Sequence, residues 1–237
     1  MATDGSFDDC FRDLTGWKPL GWQRRLYCRH FEPGELPAAL DIPTGLGKTS
    51  VMALWLIARA RGASVPRRLV YVVDRRAVVD QATSEAEKLR EALEADARHL
   101  KEPLGLGAGN LAISTLRGAH VDNREWLDNP TAPAIIVGTV DMIGSRLLFE
   151  GYGVSRKMRP YQAGLLGVDS LIVLDEAHLV PPFAHLLRGI ERDPALRMQA
   201  GAGRALLPRF AFLPLSATQR DWEERSEEHT SELQSPA

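Results

Sequence analysis

Residues 41–49 read Asp-Ile-Pro-Thr-Gly-Leu-Gly-Lys-Thr, a glycine-rich turn set between a short apolar run and a helical pattern. This feature constrains the fold most. Gly45 and Gly47 let the backbone turn its N–H groups inward around an anion, and the helix that follows directs its positive end at the same point. A strand must deliver the turn and a helix must leave it, which is the opening of a nucleotide-binding α/β unit. Pro43, Thr44, Gly45, Leu46, Gly47, Lys48, Thr49 and Ser50 are therefore candidate ATP contacts. Lys48 is placed to reach the β- and γ-phosphates, and the Thr49 hydroxyl to ligate Mg²⁺. The pattern G-x-x-x-x-G-K-T is incomplete here, because its first position is Ile42.

The rest of the chain agrees with such a unit. Apolar runs at residues 38–42, 69–73, 111–114, 134–137, 171–174 and 210–213 alternate with longer amphipathic stretches, as strands of a parallel sheet and their crossover helices do. Helices are predicted over residues 49–61, 77–99, 139–149 and 185–200, the last interrupted near Pro194, with a short one over 22–31. Before residue 38 the chain reads as an irregular lead-in punctuated by Gly and Pro. Leu171-Ile172-Val173-Leu174 is continuously apolar, which suits a strand buried on both faces.

Composition excludes several classes. The 237 residues are 44% hydrophobic and 25% charged, enough for one large core and against a disordered or fibrous chain. Net charge is −2, so any nucleic-acid contact must be local rather than a bulk attraction. No run approaches the roughly 20 apolar residues of a membrane span, and acids occupy the start where a signal peptide needs bases. A cytoplasmic setting without membrane contact is the expectation. Cys10 and Cys28 form no disulfide framework and no zinc spacing.

The run 171–174 ends in Asp175-Glu176-Ala177-His178, which puts two carboxylates at the C-terminal edge of a strand, where open α/β sheets bind ligands. Asp175 is the expected Mg²⁺ carboxylate, and Glu176 the group that orients and polarises an attacking water, with Lys48 as its catalytic companion. His178 falls one step further, at the seam where a second domain would close. Leu215-Ser216-Ala217-Thr218 places small hydroxyl residues at another strand end, a coupling element in which Ser216 and Thr218 are the expected participants.

PTGLGKT, LIVLDEAHLVPPF and LSAT, in that order and spacing, resemble motifs I, II and III of a DEAH-box superfamily 2 helicase. Further segments resemble the CRISPR-associated helicase-nuclease of type I interference systems. These are Gly21-Trp22-Gln23, Tyr71-Val72-Val73-Asp74-Arg75-Arg76 with Asp80-Gln81, and Gly138-Thr139-Val140-Asp141 leading into Ser145-Arg146-Leu147-Leu148. The resemblance implies a RecA-like P-loop domain, a mainly parallel sheet flanked by helices, that forms the first of two motor domains of an ATP-dependent single-stranded-DNA translocase. It implies Gln23 at the adenine edge, and Arg75, Arg76 and Thr139 on the sugar-phosphate backbone of a tracking strand. The partners it implies are single-stranded DNA, a second RecA-like domain and a CRISPR RNA-guided surveillance complex. Two other readings stand beside it: another DEAH-type motor, such as a restriction translocase subunit or an RNA helicase, and a nucleotide-gated nucleic-acid-binding module.

From Arg225 the chain runs RSEEHTSELQSPA, polar and without periodicity. This segment resembles a translated sequencing adapter, so the expectation is a motor domain over residues 38–224 followed by an artefactual tail over 225–237. Without the tail the body loses one Arg and three Glu and is formally neutral. The resemblance also implies a metal-dependent nuclease domain built on a His-Asp pair. No His-Asp dipeptide occurs in the chain, so that domain is expected to lie outside it.

Overall fold

In the computed structural model, which describes residues 5–117, 124–193 and 210–216, the six apolar runs become one six-stranded sheet. The strands are β1 (Leu40–Asp41), β2 (Arg68–Val73), β3 (Ala112–Leu116), β4 (Ala134–Thr139), β5 (Ser170–Leu174) and β6 (Ala211–Ser216). Their spatial order is β1-β6-β5-β2-β4-β3, and every pairing is parallel. All residues of β2, β4 and β5 are buried. Such strands carry no polar face, which is why they read as continuous apolar runs rather than alternating ones.

Alternate residues of each strand feed two cores. Leu69, Tyr71, Val73, Val173, Leu213 and Leu215 face α1 (Phe7–Thr15), α3 (Val51–Ala60) and α4 (Arg76–Glu94). Val70, Val72, Ile136, Ile172, Leu174 and Phe212 face the other side. That side carries α5 (Glu125–Asp128), α6 (Val140–Leu147), α7 (Arg159–Gly167) and α8 (Pro181–Arg192). The arrangement is a three-layer α/β sandwich with a parallel sheet, the RecA-like architecture.

Element boundaries depart from the sequence pattern for local reasons. The helix after the phosphate loop starts as a 3₁₀ turn over Lys48–Ser50 before α3 begins. Nine of the ten α3 residues are buried, so its apolar face extends nearly all round. The long helix expected to reach residue 99 stops at Glu94, where Ala95 leaves helical geometry, and a separate 3₁₀ turn covers Arg98–Leu100. α8 begins earlier than its apolar period, at Pro181, because proline fits the first helical turn, which has no use for its missing N–H.

Three helices were not expected: α1, α5 and α7. α1 falls in the segment read as irregular, yet Ser6 and Asp9 form a reciprocal capping box, and Phe7, Cys10, Phe11 and Leu14 are buried. The short helix expected over 22–31 is present as α2 (Gly21–Leu26), which continues into a π turn over Tyr27–Phe31 and packs on the core. Pro194, Ala217, Thr218 and the 225–237 tail lie outside the described residues.

Candidate functional site

The parallel register decides what meets at the sheet edge. β1 pairs with β6, which sets Asp41 opposite Ser216, and the Ile42 N–H donates to the Ser216 carbonyl at 2.9 Å. β5 lies between β6 and β2, so Asp175 and Glu176 leave the sheet beside the phosphate loop. Residues separated by more than 120 positions converge because all strands end on one side.

The phosphate loop has its left-handed residues where glycine permits them: φ is 83° at Gly45 and 73° at Gly47. Lys48 follows directly and is only 8% exposed. Its ammonium donates to Glu176 Oε1 at 2.5 Å and stands 4.0 Å from Asp175 Oδ1. Glu176 itself is left-handed, with φ 49°, a conformation that costs a non-glycine residue about 1 kcal/mol or more and tends to persist where the surroundings enforce it. Here the strand end before it and the 3₁₀ turn Ala177–Leu179 after it hold the geometry.

Asp175 is fixed at three points. Its N–H donates to the Val72 carbonyl at 2.9 Å, the Tyr71 hydroxyl donates to Oδ2 at 2.9 Å, and the Glu176 N–H donates to Oδ1 at 3.0 Å. Burial raises the Asp175 carboxyl above its usual range, and the Tyr71 hydrogen bond and Lys48 charge offset only part of that. Burial likewise pushes the Tyr71 phenol well above its ordinary value, so it stays a donor. Asp175, the Thr49 hydroxyl and the adjacent loop offer hard oxygen donors, the chemistry that suits Mg²⁺.

A polar chain links the last strand to the loop. Ser216 Oγ is 3.2 Å from His178 Nδ1, the same nitrogen is 3.5 Å from Glu176 Oε2, and Glu176 reaches Lys48. His178 and Ser216 thus adjoin the site.

Gln23 is 5% exposed, and its amide is already engaged. Oε1 accepts from the Leu20 N–H at 2.7 Å, and Nε2 donates to Ser50 Oγ at 2.8 Å, which donates in turn to the Gly47 carbonyl at 2.7 Å. The helix-start glutamine is therefore tied to the phosphate loop itself. Beside it opens a cavity of about 840 Å³, bounded by Trp17, Leu20, Gln23, Gly47, Thr49 and Lys88. Trp17 stands at this cavity with 76% of its surface exposed. Sequence reasoning missed it, although Gly16-Trp17, six residues before Gln23, was the available signal. It also missed that the Tyr71 hydroxyl would reach the acid pair.

Arg75 and Arg76 stand apart from these groups. Both are exposed where β2 hands over to α4, and Arg75 is 3.9 Å from Asp74 in a loose ion pair. Thr139 ends β4 and is largely buried, its hydroxyl accepting from the Met142 N–H at 3.4 Å as the cap of α6. Among the described residues no cluster of three or more His, Cys, Asp or Glu has the geometry of a metal cage. No described helix is long and apolar enough to cross a membrane.

This architecture is similar to solved helicase structures. The DUF1998 helicase MrfA bound to DNA and AMPPNP superposes with a TM-score of 0.60 at 17% identity, covering 98% of this chain and 29% of that one. Helicase Lhr of Mycobacterium smegmatis, bound to ssDNA and AMP-PNP, gives 0.55 at 20% identity, covering 92% of this chain and 26% of that one. The Hef helicase domain of Pyrococcus furiosus gives 0.51 at 20% identity, with 94% and 37% covered. The chain thus spans well under half the length of these proteins, and the likeness establishes the fold. No curated protein matches the chain. Residues 23–190 match the family model described as type III restriction enzyme, res subunit. With that match over more than half its length, and with a fold shared with these helicase structures, the chain belongs to the type III restriction enzyme res subunit family.

Proposed function

We propose that this domain binds MgATP on its phosphate loop and serves as the first motor domain of an ATP-dependent single-stranded-DNA translocase. The observation that carries the reading is the convergence of Lys48, Asp175 and Glu176 at one sheet edge, beside a cavity large enough for a base and ribose. In this reading Lys48 leaves Glu176 for the β- and γ-phosphates, and backbone N–H groups of residues 44–50 complete the cradle. The base enters the cavity, where Trp17 offers a stacking face and Gln23 an amide edge. Thr49 and Asp175 hold the cation, which when bound neutralises charge on the phosphates. Glu176, released from Lys48, orients the attacking water and accepts its proton. His178, Ser216 and Thr218 carry the nucleotide state towards a second RecA-like domain.

Arg75, Arg76 and the amide end of α6 at Thr139 would follow the backbone of the strand. MrfA bound to DNA and Lhr bound to ssDNA accord with a DNA track, but the DEAD-box helicase Mss116 bound to ssRNA has the same fold at a TM-score of 0.58 and 17% identity, so the choice of DNA rests on the sequence resemblance. The assignment to CRISPR interference, with an RNA-guided surveillance complex as partner, rests on the sequence resemblance alone. A restriction translocase subunit is the second reading, favoured by the family match.

Titration with a fluorescent ATP analogue, and with labelled single-stranded DNA and RNA of one sequence, tests the proposal. Expected are Mg²⁺-dependent nucleotide binding and weak, salt-sensitive DNA binding that ATP hardly changes, because one motor domain lacks the partner it would move against. Preference for RNA would point to an RNA helicase. DNA-stimulated hydrolysis by the 237-residue chain would refute the single-domain reading. Capture by a surveillance complex loaded on target DNA separates the CRISPR reading from the restriction one.

A further inference from the structure

The acid pair reaches the site from β5, but its orientation is governed by a neighbouring strand. In the parallel register Tyr71 of β2 stands opposite Val173 of β5. Asp175 lies two residues beyond Val173, on the same side of the sheet, within diagonal reach of a side chain as long as tyrosine. The reach is made: the phenolic hydroxyl donates to Asp175 Oδ2 at 2.9 Å. One residue on, the Val72 carbonyl accepts from the Asp175 N–H at 2.9 Å. β2 thus holds the aspartate by backbone and side chain together.

We propose that Tyr71 is a positioning residue for the cation carboxylate, its buried hydroxyl holding Asp175 Oδ2 so that Oδ1 is presented to the metal position beside Thr49. The ring is fully buried among Leu69, Val73 and the α3 face, so the hydroxyl has little freedom to follow a moving acid. Asp175 is itself mostly buried, and an Oδ2 deprived of its donor would have little water to replace it. The carboxylate would then rotate to share the Lys48 ammonium with both oxygens, and the oriented oxygen ligand would be lost. Tyr71 touches neither phosphate nor metal in this scheme and acts through Asp175. The inference rests on the reading of Asp175 as the Mg²⁺ carboxylate.

The experiment is a MgCl₂ titration of the 237-residue chain at fixed fluorescent ATP analogue, beginning in excess chelator, for the parent, Tyr71→Phe and Asp175→Asn. Phenylalanine keeps the ring and its packing and removes only the donor. The expected result is a Mg²⁺ midpoint raised about threefold or more in Tyr71→Phe, with nucleotide affinity in chelator unchanged. Asp175→Asn should raise the midpoint further. If Asp175→Asn shifts the midpoint and Tyr71→Phe does not, the positioning role is wrong while the reading of the acid survives. If Asp175→Asn leaves the midpoint where it was, the underlying metal assignment fails and the inference fails with it. An equal loss of affinity with and without Mg²⁺ in Tyr71→Phe would mean that the hydroxyl serves only the fold, and would also overturn the proposal.

Discussion

Lys48 and Glu176 occupy each other: the ammonium that should meet phosphates donates to the carboxylate that should meet water, at 2.5 Å, across 128 residues of sequence. In the proposed reading neither group can take up its role until the pair opens, so nucleotide binding would have to replace this contact. The pair keeps a buried lysine satisfied without ligand, since an unpartnered charge at that depth would be costly.

Removing the carboxylate should therefore help binding while it harms chemistry. Glu176→Gln is expected to tighten the fluorescent ATP analogue a few-fold, about 1 kcal/mol, as Lys48 exchanges an ionic partner for a neutral one. The same change should abolish turnover in a longer protein that includes the second motor domain, because an amide accepts no proton. Weakened nucleotide binding in this variant would show that the pair does not compete with phosphate.

Lys48→Ala is expected to abolish measurable MgATP binding, since neutral N–H groups of the loop cannot balance the phosphate charge alone. Unchanged affinity in a direct titration would remove Lys48 from the site.

Asp175 should destabilise the fold near neutral pH. Its carboxyl titrates above the usual 3.8 because burial disfavours the charge, so the folded state holds a proton that the unfolded chain releases. The penalty is complete above the raised native pKa, shrinks as pH falls from there towards 3.8, and vanishes below. Asp175→Asn is thus expected to raise the melting temperature at pH 7 and to lose that advantage progressively on acidification. A stabilisation that grows as pH falls would contradict the assignment.

Trp17→Ala tests the cavity. The indole is largely exposed, so its loss should cost the fold within about 0.5 kcal/mol. Loss of a stacking face is worth about 0.5–1.5 kcal/mol, a few-fold to about tenfold in ATP affinity. Inorganic triphosphate should bind parent and variant alike, and an equal loss for both ligands would place the base elsewhere.

Trp55→Ala probes the core beneath the loop. Trp55 is fully buried in α3, and its indole N–H donates to the Pro66 carbonyl at 2.7 Å. Truncation should cost about 3–5 kcal/mol in urea unfolding, much of a typical domain's stability. A cost under 1 kcal/mol would mean that α3 is not the pillar of this face.

What the sequence determined by itself was whatever depends on neighbours along the chain. The turn at Gly45 and Gly47 needs its glycines locally, parallel strands buried on both faces must be apolar throughout, and Asp175-Glu176 follows its strand directly, so loop, sheet class and acid pair were all legible. The capping box at Ser6 and Asp9 was legible in the same way but lay in a stretch that proline and glycine made to look irregular. Only the tertiary structure decided what depends on strand order, because a string of residues carries no record of which strands lie side by side. The placement of β5 between β2 and β6 brings Tyr71 to Asp175, Glu176 to Lys48 and His178 to Ser216. It likewise took three-dimensional packing of α1 against α3 and α4 to make a cavity of Trp17 from the loop between α1 and α2, Gln23 from α2 and Lys88 from α4. Periodicity can say that each helix is amphipathic, but the space left between helices is a property of their packing and of no single segment.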